Sequence, residues 1–75
     1  MIKLDQIKKI ERYENGKRYV KVSITSDTAA EVKAIGTDGS QVKDLLPMDV
    51  LTAHSICFTA EQNVLVLGSD GVWKE

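Results

Sequence analysis

The chain has one cysteine, one proline, one histidine and four aromatic side chains in 75 residues, and each shortage removes a class of explanation. With Cys57 alone no internal disulfide can form, and within its apolar stretch that thiol reads as buried and inert. His54 lies three residues from Cys57, and the two cannot supply the three or four ligands of a zinc site. Strand positions i and i+3 also point to opposite faces, which separates them as a nucleophile and its base. No metal and no cofactor is expected.

The serines fare no better. Ser23, Ser26, Ser40 and Ser55 have no second histidine and no strand-turn-helix elbow to activate them. Gly36-Thr37-Asp38-Gly39-Ser40 lacks the Gly-Lys-Ser/Thr or the third spaced glycine of a phosphate loop, and reads as a turn. Asp38, Asp44, Asp49 and Asp70 lack the spacing of a calcium loop. The composition therefore points away from an enzyme.

Charge of one sign is also missing. Ten basic and eleven acidic side chains leave a net charge of −1, which draws in neither nucleic acid nor an anionic membrane. Basic residues gather at one end, Lys3, Lys8, Lys9, Arg12, Lys17, Arg18 and Lys21, but Asp5, Glu11 and Glu14 interrupt them, as on a solvated strand face. No apolar run approaches the roughly 20 residues that span a bilayer, and charge breaks the opening Met1-Ile2-Lys3-Leu4-Asp5 before a signal peptide can form. The expected setting is the bacterial cytoplasm, or a virion assembled from it, with no membrane partner.

A chain of this length makes one domain, residues 1–75, with one core. Burying on the order of 4,500 Å² of apolar surface returns roughly 110 kcal/mol, and ordering the chain costs about the same, so a lone monomer is marginal. With no disulfide or metal available, self-association is the remaining stabilising device.

What is present is β pattern. Arg18 to Thr25 alternates Val20, Val22 and Ile24 against polar neighbours, as a half-buried strand does. Glu14-Asn15-Gly16-Lys17 before it favours a tight turn. Leu4, Ile7 and Ile10 recur every third residue, which suits a helix from Asp5 as well as a strand; the strand is preferred, with a bulged three-residue turn over 14–16 that sets Ile10 opposite Val20. Thr28-Ala29-Ala30-Glu31 matches a capping box before Gly36, yet Ala30, Val32 and Ala34 also alternate, and the strand is preferred narrowly. Ser40 to Leu46 reads as one helical turn capped by Ser40 and stopped by Pro47.

The last third reads as a meander of strands at 55–59, 63–67 and 71–74. Pairing residue 59 with 64 places Ile56, Phe58, Leu65 and Leu67 on one face and Cys57, Val64 and Val66 on the other. A three-residue final turn sets Trp73 opposite Leu67, and a two-residue one sets it opposite Gly68. The fold class is mainly β: a small antiparallel sheet or partly open barrel, built from an N-terminal hairpin and a C-terminal three-stranded meander with one short helical turn, with α+β as the alternative.

The run Cys57-Phe58, Asn63-Val64-Leu65-Val66-Leu67-Gly68-Ser69-Asp70-Gly71-Val72-Trp73-Lys74, together with Glu14-Asn15-Gly16-Lys17-Arg18-Tyr19-Val20, resembles small uncharacterised proteins encoded in the structural gene clusters of phages and prophages of Gram-positive bacteria. The resemblance covers residues 10–24 and 55–74 and implies a genomic setting, with no active residues carried over. The expectation is a non-enzymatic structural or assembly module that contacts copies of itself or a virion-type protein through Val64, Val66, Trp73, Tyr13 and Tyr19. The alternative is a small β-barrel binding or regulatory module that lays the basic first hairpin, Arg12, Arg18 and Lys21, on nucleic acid.

Overall fold

A computed structural model describes residues 1–75 and orders them as two β-hairpins joined through a parallel crossover. β1 (Lys3–Glu14) and β2 (Lys17–Ser26) form the first hairpin; α1 (Ala29–Ile35) and a 3-10 turn (Gly39–Gln41) follow. β3 (Asp49–Leu51), β4 (Ile56–Thr59), β5 (Val64–Leu67) and β6 (Trp73–Lys74) complete one sheet of order β1-β2-β4-β5-β6, with β3 also on β2. The fold is mainly β, as its sequence implies, and the sheet is mixed. Both hairpins are antiparallel, while β3 and β4 run parallel to β2 in succession along the same edge.

The three-residue spacing of Leu4, Ile7 and Ile10 belongs to a strand. Its register against β2 slips between Leu4 and Gln6, between Ile7 and Lys9, and between Ile10 and Arg12. Asp5, Lys8 and Glu11 are thus extra residues, and each lets the next apolar side chain return to the core face after three steps rather than two. The turn itself is the two residues Asn15 and Gly16, both at positive φ (53° and 78°), which matches strand twist and suits these residue types. The expected three-residue turn is therefore corrected. Ile10 does lie opposite Val20, because the bulge sits at Glu11 inside the strand.

Residues 28–36, read as a strand, instead hold the helix α1 (Ala29–Ile35) between its caps Thr28 and Gly36. Thr28 Oγ1 accepts from Glu31 N at 3.2 Å, Glu31 Oε1 accepts from Asp27 N at 3.0 Å, and Gly36 ends the helix at φ 56°. Local capping outweighs the alternation of small residues here. The expected helical turn over Ser40–Leu46 is also shifted: the 3-10 turn spans Gly39–Gln41 and is capped by Asp38, whose Oδ1 accepts from Ser40 N at 3.0 Å.

Eleven buried side chains form the core: Ile2, Val20, Val22, Ile24, Val32, Val42, Leu51, Cys57, Leu65, Leu67 and Trp73. All lie on the α1 side of the sheet or on the crossover that covers it. Trp73 stands opposite Leu67, as a three-residue last turn requires, and its Nε1 donates to Gly36 O at 2.8 Å. That bond ties the last strand to the end of the helix.

Candidate functional site

The parallel join between the hairpins is built from polar groups. Arg18 and Asp49 are register partners, and Arg18 Nε and Nη2 donate to Asp49 Oδ1 and Oδ2 at 2.7 Å each. Asp49 Oδ2 also accepts from Leu46 N at 2.8 Å. Burial works to raise the Asp49 carboxyl, but these hydrogen bonds and the Arg18 charge outweigh it and hold the group below its ordinary value. One residue past β3 the chain steps off the edge of β2, and buried Ser55 fills the gap. Its Oγ accepts from Val22 N at 3.1 Å and donates to Thr52 O at 2.8 Å, standing in for a missing strand carbonyl.

β4 and β5 pair with Phe58 opposite Val64, Cys57 opposite Leu65 and Ile56 opposite Val66. This register is one residue from the expected pairing of 59 with 64, and it inverts β4. Cys57, expected on the second face, is in the core. Phe58, expected in the core, is 47% exposed and shares the outer face with Val64 (48%) and Val66 (41%). The cause is the turn. Thr59 N donates to Asn63 O, and Gln62 takes a positive φ of 68°, so Ala60–Gln62 is the loop and Asn63 closes it. A cysteine's strong tendency to be buried and a polar Asn63 beside the loop were the signals for this register.

The outer face is therefore an apolar quartet in two rows. Across the sheet, one row runs Gln6, Ser23, Ile56, Val66, Lys74 and the next runs Lys3, Thr25, Phe58, Val64. Lys9 and Lys21 stand directly opposite each other beside the first row. Of the expected contact residues, Val64 and Val66 meet here. Trp73 is 2% exposed and faces the core, because the final turn puts it on the Leu67 side; it is not available for contact. Ile56 and Phe58 are the members the sequence reading did not assign to this face.

Tyr13 and Tyr19 do not join them. Tyr13 is exposed near the hairpin tip opposite Arg18, and Tyr19 lies half-buried beneath Arg12, whose guanidinium carbon is 3.9 Å from the ring centroid. Tyr19 and Arg12 form one wall of an open cleft of about 460 Å³, with Val50, Thr52 and Ala53 among its other lining residues and the Gly68–Gly71 turn opposite.

Two further titratable groups, Cys57 and Asp70, are engaged structurally. Burial pushes the Cys57 thiol up, and its Sγ lies 3.4 Å from Ser26 Oγ. Asp70 accepts from Val72 N and pairs with Lys74 at 3.2 Å, which holds it low. No group of three or more His, Cys, Asp or Glu side chains is arranged to hold a metal ion, and no helix is long and apolar enough to cross a membrane. Comparison of the chain with protein families, curated proteins and solved structures finds no match.

Proposed function

We propose that this domain is a non-enzymatic assembly module that acts through protein contact, with the outer face of β4 and β5 as its contact surface. The observation that carries the proposal is the quartet Ile56, Phe58, Val64 and Val66. Three of its members are exposed by more than two-fifths while the opposite face of the same strands fills the core. Contiguous apolar side chains on a sheet whose other side is satisfied are characteristic of contact surfaces. The open edge of β1 is a poor alternative for association. Three bulges and its lysine, arginine and glutamate side chains guard against pairing with another strand.

The resemblance to phage and prophage structural-cluster proteins favours an assembly role in a virion or its precursor. The nucleic-acid reading loses its central residues, since Arg18 is committed to Asp49 and Arg12 lies over Tyr19.

Site-specific photo-crosslinking tests the proposal. A photoreactive residue at position 58, 64 or 66 is expected to give a discrete higher-mass adduct in cells, and the same residue at Lys33 or Ser69 is not. Equal labelling from all positions, or none from the quartet, contradicts it.

A further inference from the structure

The charge around the quartet identifies what kind of surface covers it. By register, the regular outward positions of the sheet are Lys3, Gln6, Lys9, Arg12, Glu14, Lys17, Tyr19, Lys21, Ser23, Thr25, Val50, Ile56, Phe58, Val64, Val66 and Lys74. Six are basic and one is a carboxylate, Glu14, which lies 3.7 Å from Arg12 Nε. Three more carboxylates reach this face from bulges and turns, and each is already engaged. Asp5 accepts from Thr25 Oγ1 at 2.7 Å, Glu11 lies 3.7 Å from Lys9 Nζ, and Asp70 pairs with Lys74. Lys3 and Lys21 have no ion-pair partner within 4.0 Å. Lys21 also faces Lys9 across the hairpin, a like-charge pair that works against the fold.

Area makes those lysines part of any contact. Four apolar side chains that are at most about half exposed offer on the order of 300 Å², whereas a stable interface takes about 800 Å² from each partner. The flanks must therefore be covered as well. A second copy does not suit them. A two-fold axis running along the strands lays the β1–β2 flank over the β6 flank, and an axis running across the strands lays each flank on itself. Both arrangements bring together two faces that each carry six basic groups and four carboxylates, and the like net charge opposes association.

We infer that the partner at this face is a different protein whose contact element carries carboxylates beside an apolar centre, and not a second copy of this chain. The inference rests on the reading of the quartet as the contact surface. The apolar centre packs on Phe58, Val64 and Val66, and the carboxylates take Lys3 and Lys21, relieving the Lys9–Lys21 repulsion.

The test uses the full chain and a displayed library of random peptides, counter-selected with Val66→Lys and with the milder Val66→Thr. Enriched peptides are expected to combine branched or aromatic side chains with Asp or Glu, to weaken as salt rises, and to lose roughly tenfold in affinity on Lys3→Glu with Lys21→Glu. Peptides that depend on Val66 but show no acidic bias overturn the inference and leave the contact surface standing. So does a dimer of the wild-type chain at micromolar concentration that Val66→Thr dissociates. If no enriched peptide depends on Val66, both the inference and the contact surface fall.

Discussion

Arg18 and Asp49, 31 residues apart, meet across the parallel join of β2 and β3 through two hydrogen bonds of 2.7 Å, and the Asp49 side chain has no exposed surface. The pair fastens the turn end of the first hairpin to the crossover. Breaking it from one side leaves a charge uncompensated, so Asp49→Asn is expected to cost about 3 kcal/mol near neutral pH. The Asp49 carboxyl is held below its ordinary value in the folded state. Its contribution is therefore present above about pH 4 and is lost as pH falls toward the folded value. Urea unfolding across the acid range should show that loss in the wild type and a flatter profile in Asp49→Asn.

Ser55→Ala removes the acceptor of the buried Val22 N–H and is expected to cost about 2 kcal/mol, because the donor stays buried with no partner. Hydrogen exchange reads the effect directly: Val22 should lose protection while its strand neighbours keep theirs.

Gly39 packs so close to β3 that an added Cβ would lie 2.5 Å from Asp49 O. Backbone cannot yield there as a flexible side chain does. Gly39→Ala should destabilise by about 2 kcal/mol, measured by thermal unfolding, with the shift in backbone resonances centred on Asp49.

Deleting Glu11 should leave the hairpin register intact, since Arg12 already pairs with Tyr19 and Ile10 with Val20. What is lost is protection of the edge, because a regular strand offers a flatter row of unpaired groups. Cross-strand contacts in solution should be retained, and sedimentation should show more self-association than in the wild type.

The register of β4 and β5 separates neighbouring side chains by energy. Leu65→Ala, in the core, should cost about 3 kcal/mol, while Val66→Thr, one residue on, should stay within about 0.5 kcal/mol. The pairing of residue 59 with 64 would instead bury Phe58, and Phe58→Ala would then be severe. Chemical unfolding of the three variants decides between them.

The second strand and its turn were legible because Val20, Val22 and Ile24 alternate and Asn15-Gly16 is strong local chemistry. β1 was ambiguous for a definite reason: three bulges convert a period of two into a period of three, which overlaps the helical one. The seven-residue α1 is too short for periodicity to distinguish it from an alternating strand, so only its capping box marked it. The parallel join left no local trace, since Arg18 finds Asp49 and Val22 finds Ser55 across more than thirty residues. Half of the outer quartet, Val64 and Val66, was readable from alternation. The other half depended on a single-residue choice at the Ala60–Gln62 loop.

The central claim is that the outer face of β4 and β5 is built for contact and is not needed for folding. The most direct measurement titrates the isotope-labelled protein with a peptide selected on it and follows every backbone amide, in the wild type and in Val66→Thr of matched stability. The account predicts shifts concentrated at residues 56–58 and 64–66, extending to Lys3 and Lys21, and their loss in the variant. Shifts centred on the cleft beside Arg12 and Tyr19, or unchanged binding by Val66→Thr, would contradict it.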